Sequence, residues 1–133
     1  MYLVDTSVWI PFLSDSKSDS ARLLTKLLDD NAALCINALV EMEILPGIRS
    51  EKAKSEVQRY LADFQYFPDF SHEYFLLAAE IYRRCRKKGL TVRKSVDCLI
   101  AANGLKDKLA IVHHDRDFEK IKMAYPKLVT VTV

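Results

Sequence analysis

Three short runs of apolar and β-branched residues predict buried strands. They are MYLVD at the start of the chain, LAIVHH from Leu109 onward, and LVTVTV at the end. Two of these runs finish in polar or acidic residues, as strands do where they leave a sheet. A further apolar run predicts a fourth strand from Leu34 to Ile36.

Between these runs, apolar residues recur with the spacing of helices. Asn37 is expected to cap a short helix that stops near Pro46, and a long helix from about Ser71 ends in the basic stretch RRCRKK before Gly89. Ser95 is expected to cap the next helix. Because strands alternate with helices, we predict an α/β fold with a parallel sheet covered on both faces.

Length and composition agree with this fold. The 133 residues suit one domain, and half of them are hydrophobic, which excludes a disordered chain. Cys35, Cys85 and Cys98 contain no C-x-x-C pair, so neither a complete disulfide framework nor a thiolate zinc site is indicated. No leader and no apolar run of membrane-spanning length is visible, and we therefore expect a cytoplasmic protein with no membrane association.

Carboxylates occupy conspicuous places in the predicted elements. Asp5 and Asp115 follow strands, Asp97 lies in the first turn of a helix, and Glu43 lies on a short apolar helix, with Asp117 as a fifth candidate. Strand ends and helix starts converge at one edge of a parallel sheet. Clustered carboxylates repel one another unless a cation is present, and hard oxygen ligands favour Mg²⁺ or Mn²⁺.

Each acid, taken alone, also has an ordinary structural explanation. Asp5 can be a helix N-cap, Asp97 can complement a helix dipole, and Glu43 can be an exposed helical glutamate. Asp115 and Asp117 can be turn residues after a strand. The residues alone leave these alternatives open.

A basic stretch precedes Asp97. The formal net charge of the whole chain is only +2, but seven cations fall within twelve positions of this stretch. They are either a solvated helix end favoured by the dipole or a contact surface for a phosphate backbone. These residues are Arg83, Arg84, Arg86, Lys87, Lys88, Arg93 and Lys94.

Taken in chain order, three segments resemble the PIN-domain ribonucleases, and within them the VapC-type toxins of toxin/antitoxin pairs. The segments are LVDTSVWI, ALVEMEILPG and SVDCLIAANGLKDKLAIVHHDRDFEKI. The resemblance extends from Tyr2 to the terminal strand, and its most specific part is DCLIAA with DRDF eighteen residues after its Asp. It implies a single PIN domain over residues 1–133, with a three-layer α/β/α fold and a central, mostly parallel sheet of four or five strands.

The resemblance also implies roles for individual residues. The expected catalytic and metal-binding acids are Asp5, Glu43, Asp97 and Asp115, with Thr6, Ser7 and Asp117 in supporting roles. Glu43 is preferred over Glu41 because an apolar pair and then a glycine follow it, in EILPG.

The implied activity is Mg²⁺-dependent hydrolysis of RNA by an endoribonuclease, with Mn²⁺ as a possible substitute. The implied partners are an RNA substrate, a cognate antitoxin and a second copy of the chain in a homodimer. The alternative is a non-catalytic RNA-binding or scaffold module with the same fold. A phospho-accepting receiver is a poorer match, because it needs a pair of acids after its first strand, where this chain has Thr6 and Ser7 after Asp5.

Two residue types near these motifs have simpler roles. His113 and His114 invite a general-base role, but a histidine at a strand end is more often a structural hydrogen-bonding residue. The single tryptophan, Trp9, lies where an amphipathic helix should face the core. We expect core packing for Trp9, with a dimer contact as the alternative.

Overall fold

The computed structural model describes residues 1–67 and 70–133. In this part of the chain, five strands form one sheet in the order β3-β2-β1-β4-β5. β1 pairs in parallel with β2, and β2 in parallel with β3. The α/β fold class predicted from the sequence is therefore confirmed. The strands are β1 (Tyr2–Val4), β2 (Leu34–Asn37), β3 (Gln65–Phe67), β4 (Ala110–Val112) and β5 (Thr130–Val131).

Helices connect these strands, and several begin where the sequence predicts. Asn37 caps its helix, since its side chain accepts the Val40 N–H, and Gly89 follows the long basic helix with a φ of 72°. A 3₁₀ turn, Leu45–Gly47, closes the Asn37 helix. The helices are α1 (Thr6–Leu13), α2 (Asp19–Asp29), α3 (Ala38–Ile44), α4 (Glu51–Leu61), α5 (His72–Lys87), α6 (Ser95–Asp107) and α7 (Arg116–Ala124).

Two local features differ from the sequence prediction. Ser95 is the first residue of α6 rather than its cap, and Lys94 takes the N-cap position without a side-chain hydrogen bond. β3 was not predicted, because it is only three residues long and Gln65 and Tyr66 are exposed. Such a strand lacks the apolar alternation on which a sequence prediction depends.

The chain divides into two compact units. Among the described residues, the first unit contains residues 1–67, 112–114 and 132–133, and the second contains 70–111 and 115–131. In the first unit, Trp9 is completely buried, and the rings of Phe12, Tyr60 and Phe64 lie 5.9, 6.3 and 5.3 Å from it. The predicted core position of Trp9 is confirmed.

The second unit is built around a helix that is buried over most of its length. Eight consecutive residues of α6, from Asp97 to Gly104, are buried. A Cβ atom on Gly104 would lie 2.9 Å from Cδ1 of Ile111 and 3.0 Å from Cδ1 of Leu128, so glycine permits this close approach. Within residues 1–67 and 70–133, no helix is both long and apolar enough to cross a membrane.

Candidate metal centre

Asp5 connects β1 to α1, and both its main-chain N–H and its main-chain carbonyl form hydrogen bonds. Its N–H donates to the Val112 carbonyl at 2.9 Å, and its own carbonyl accepts from Val8 and Trp9 at 3.0 Å. The carboxylate caps α1, because Oδ2 accepts the N–H of Ser7 at 3.0 Å and its hydroxyl at 2.6 Å. The N-cap role that the sequence left open is therefore present, and it occupies one of the two carboxylate oxygens.

The other oxygen of Asp5 is the more informative one. Oδ1 is buried and has no hydrogen-bond partner among the residues that the structure describes. Both donors on Oδ2 are neutral groups of Ser7. A buried carboxylate oxygen without a donor is destabilising, by about 1–3 kcal/mol or more for a charged group. A divalent cation at Oδ1 would remove this penalty, so Asp5 fits the metal that the acids imply.

The Ser7 hydroxyl orients the carboxylate of Asp5. Its hydroxyl donates to Asp5 Oδ2 and accepts the main-chain N–H of His114 at 3.0 Å. His114 thus contributes its backbone here, while its side chain is exposed and that of His113 is buried. The hydroxyl of Ser7 fixes the direction of the Asp5 carboxylate, which supports the positioning role expected from the sequence.

The two glutamates of α3 have different partners. The Thr6 hydroxyl donates to Glu43 Oε1 at 3.3 Å, whereas the Tyr66 hydroxyl donates to Glu41 Oε2 at 2.9 Å. Although Tyr66 is exposed overall, partial desolvation of its hydroxyl, followed by the bond to Glu41, raises the pKa of Tyr66 to about 12. Glu41 is therefore restrained by Tyr66, while Glu43 contacts the hydroxyl next to Asp5. The choice of Glu43 over Glu41 as a metal ligand stays a prediction.

In the second unit, three acids form one cluster, which we call the acid cluster. Asp97 lies in the first turn of α6, Asp115 caps α7, and Asp117 is in the first turn of α7. One carboxylate oxygen from each residue lies within 4.8 Å of the others. Asp97 and Asp117 are buried and Asp115 is half-buried. Oxygen atoms at this spacing suit a hard divalent cation.

Two cations hold this acid cluster. Asp117 Oδ2 accepts from the main-chain N–H of Arg93 at 3.0 Å and from Nε of the same residue at 3.2 Å. Nη2 of Arg93 donates to Asp115 Oδ1 at 3.1 Å, so one guanidinium bridges two carboxylates. The ammonium of Lys120 donates to Asp117 Oδ1 at 3.3 Å and to the Thr91 carbonyl at 2.8 Å.

These contacts determine the charge of Asp117. Burial by itself raises the pKa of Asp117, but the Arg93 N–H, the Lys120 ammonium and the Arg93 guanidinium outweigh it and lower the pKa below its ordinary value. The same carboxylates raise the pKa of Arg93. Asp117 is thus an ionised, internally neutralised residue that anchors the loop before α6.

The sequence missed this use of Arg93 and Lys120. It grouped Arg93 with six other basic residues as a candidate for RNA contact, because spacing along a chain does not reveal a bond to residues more than twenty positions away. Lys120 had a weak signal, since it lies three residues after Asp117 on α7, which is the spacing of a helical ion pair.

RNA contact by all seven basic candidates stays a prediction. All are exposed at or near the end of α5 or just before α6. Arg84 lies over the Tyr125 ring, 4.5 Å from its centroid, and Arg86 lies 5.8 Å from that of Tyr82. A guanidinium can donate to two phosphate oxygens at once, which suits contact with a phosphate backbone.

Residues 2–123 match the PIN domain family. The chain belongs to this family. It is 34% identical over 122 residues to the VapC ribonuclease Mb1587 of Mycobacterium bovis and to ribonuclease VapC11 of Mycobacterium tuberculosis, a match that covers 91% of this chain and 91% of each relative. The family resemblance seen in the sequence is confirmed.

Solved structures show the same PIN fold. VapBC2 from Rickettsia felis, bound to a promoter DNA fragment, has a TM-score of 0.76 at 21% identity and covers 99% of this chain and 98% of that one. DNA-bound VapBC from Salmonella typhimurium has a TM-score of 0.76 at 20% identity, over 98% and 96% of the two chains. VapC20 of Mycobacterium tuberculosis, a toxin that cleaves the sarcin-ricin loop, has a TM-score of 0.71 at 15% identity, over 90% and 93%. At these identities the likeness concerns the fold.

Proposed function

We propose that this PIN domain is the toxin of a toxin/antitoxin pair, a metal-dependent endoribonuclease that hydrolyses RNA phosphodiester bonds in the cytoplasm. The observation that carries the metal dependence is the buried Oδ1 of Asp5, which has no hydrogen-bond partner among the described residues. The relationship to VapC ribonucleases over 91% of the chain supports the reaction type.

In this proposal, Asp5, Asp97 and Asp115 would hold Mg²⁺, with Mn²⁺ as a substitute, and Glu43 would help to hold a second ion together with the RNA phosphate. A bound divalent ion lowers the pKa of a water molecule and offsets charge on the phosphate. The protein's part is to present these carboxylates in fixed orientations.

Neutral hydroxyls orient the acids of the first unit. Ser7 fixes Oδ2 of Asp5 and leaves Oδ1 for the metal, and Thr6 directs Glu43 through its hydroxyl. Asp117 is a supporting residue, because its two oxygens already accept bonds from Arg93 and Lys120. Exposed cations bind the RNA backbone, namely Arg83, Arg84, Arg86, Lys87, Lys88 and Lys94.

We further propose a cognate antitoxin and a homodimer as the protein's assemblies. An apolar groove of about 200 Å³ in the first unit supports an antitoxin contact. Ile10, Leu13, Ile44, Ile48 and Val57 are among its lining residues. Ile10 is 49% exposed, and covering such apolar surface stabilises a complex.

A cleavage assay tests the proposed reaction. RNA is incubated with the purified chain in Mg²⁺ or in EDTA, and the Asp5→Asn variant is compared with Asp19→Asn, which changes an exposed acid of the first unit. We expect cleavage by the wild type and by Asp19→Asn in Mg²⁺ only, and a loss of at least about a hundredfold in Asp5→Asn. A fully active Asp5→Asn protein contradicts the proposal. RNA binding without cleavage favours the non-catalytic alternative.

The same pair of proteins identifies the substrate. RNA ends that form after brief expression of the wild type, but not of Asp5→Asn, are sequenced. We expect a small set of recurring cleavage sites. Ends that are equally frequent with both proteins would contradict ribonuclease activity in the cell.

A further inference from the structure

Arg93 makes two kinds of contact with the acid cluster. It binds Asp117 twice, through its main-chain N–H and through Nε, and it binds Asp115 once, through Nη2. A guanidinium thus occupies an oxygen of Asp115, although Asp115 belongs to the group of carboxylates whose spacing suits a cation.

The two contacts differ in how readily they can be exchanged. Asp117 is buried, with a side chain that is 1% exposed, and cationic donors bind both of its oxygens. The side chain of Arg93 is 65% exposed, so its single bond to Asp115 lies near water and is weakened by screening. The Asp117 contacts are therefore the anchor, and the Asp115 contact is the exchangeable one.

Charge balance explains why such a contact exists. Three carboxylates within 4.8 Å of one another repel in the absence of metal, and Arg93 and Lys120 supply two positive charges beside them. A divalent cation attracts Asp115 more strongly than one guanidinium does, and it is repelled by that guanidinium. The cation and the Nη2 group therefore compete for the same carboxylate.

We propose that Arg93 is a positioning residue that holds Asp115 in the metal-free protein and yields it to a divalent cation, while its bonds to Asp117 keep the loop before α6 in place. This inference rests on the proposed function in one respect, the binding of a divalent cation by Asp97 and Asp115. It goes beyond that function, because it makes Arg93 a determinant of metal affinity.

The inference predicts that removing the guanidinium tightens metal binding. Arg93→Gln keeps the main-chain bond to Asp117 and removes the positive charge from Asp115. We expect the Kd for Mn²⁺ to fall about three- to tenfold, since a divalent ion no longer meets a unit charge within a few ångströms. A residue that served the fold alone would not produce tighter binding when it is lost.

The test measures Mn²⁺ binding by calorimetry or electron paramagnetic resonance in the absence of RNA. Arg86→Gln is the matched control, because it removes the same charge from an exposed helical arginine stacked on Tyr82. Thermal unfolding in EDTA and in saturating Mn²⁺ is measured in parallel. We expect Arg93→Gln to have a lower Tm than the wild type in EDTA and a smaller deficit in Mn²⁺, because the tighter-binding variant gains more from the metal.

Arg93→Lys provides a second variant, which retains a cation but lacks the forked guanidinium. Its Mn²⁺ affinity should lie between those of the wild type and Arg93→Gln. Equal or weaker Mn²⁺ binding by both Arg93 variants would overturn the inference and leave the proposed function intact. A wild type that binds no Mn²⁺ would overturn both, whereas an RNA-inactive wild type with tighter Mn²⁺ binding in Arg93→Gln would overturn only the proposed function.

Discussion

The candidate site acids of the two units accept hydrogen bonds from different kinds of donor. In the first unit, Asp5 and Glu43 accept hydrogen bonds from the neutral hydroxyls of Ser7 and Thr6. In the second unit, Asp115 and Asp117 pair with the cations of Arg93 and Lys120. Neutral donors therefore orient Asp5, whereas cations within the protein compensate the charge of Asp115 and Asp117.

This difference indicates how each region should respond to a metal. A carboxylate with neutral donors keeps its full attraction for a cation, and the buried Oδ1 of Asp5 gains a partner only when one binds. A carboxylate that already pairs with arginine must exchange one cation for another. The first region should thus contribute affinity, and the second should moderate it.

Asp117→Ala is expected to have the largest effect on stability. It leaves Arg93 and Lys120 without their shared carboxylate, and we expect a loss of about 2–4 kcal/mol in the free energy of unfolding, measured with urea. Glu73→Ala is the control, because it breaks an exposed ion pair with Lys106 in the same unit and should cost less than about 1 kcal/mol. If the two variants lose similar amounts of unfolding free energy, the buried ion pairs of Asp117 stabilise the protein no more than an exposed ion pair does.

Ser7→Ala tests the neutral hydrogen bonds that orient Asp5. It removes a donor to Asp5 and an acceptor for the His114 N–H, and we expect about 1–2 kcal/mol of destabilisation in urea unfolding. Cleavage should fall about tenfold, since the Asp5 carboxylate loses its orientation. Ser7→Thr retains the hydroxyl and serves as the control. An alanine variant as active as the wild type would contradict the positioning role.

Tyr66→Phe tests the hydrogen bond by which Tyr66 restrains Glu41. We expect the free energy of unfolding to fall by about 1 kcal/mol or less. Because the pKa of Tyr66 is raised to about 12, this stabilisation is complete below the ordinary pKa of tyrosine, about 10, and is lost as the pH rises through 12. Tyrosinate absorbance and unfolding across this range measure it. A stability difference between the variant and the wild type that stays constant as the pH rises from about 9 to about 12 would contradict it.

Salt is expected to have the smallest effect on stability, and it distinguishes ion pairs from neutral hydrogen bonds. The destabilisation caused by Asp117→Ala should shrink by about 0.5 kcal/mol between about 0.05 and 1 M NaCl, because the exposed Arg93 side is screened. The effect of Ser7→Ala should stay constant, since its hydrogen bonds involve no cation. The same salt dependence in both variants would contradict the view that cations hold Asp117 and neutral hydrogen bonds hold Asp5.

Much of the fold could be predicted because the apolar pattern is strong. The segments around β1, β2 and β4 are short buried runs, and the Asn37 side chain caps α3 as its position suggests. β3 escaped prediction because strand pairing, rather than an apolar face, defines it. Ser95 was misplaced by one residue because a serine before an apolar stretch suits either the cap or the first turn.

The acids could be predicted for a related reason, whereas their partners could not. Strand ends and helix starts bring Asp97, Asp115 and Asp117 to one place, and this convergence follows from topology. Arg93 reaches the same place through a loop whose course no local pattern specifies. The assignments of Asp5, Glu43, Asp97 and Asp115 as catalytic remain predictions until the variants are measured.

The burial of Trp9 among aromatic rings has a spectroscopic consequence. Because the chain contains one tryptophan, its fluorescence reports on the first unit alone. Emission should shift to longer wavelength when the ring cluster of Phe12, Tyr60 and Phe64 opens to water. Trp9 fluorescence therefore follows unfolding of the first unit. Far-ultraviolet circular dichroism, which averages over both units, can be measured in parallel.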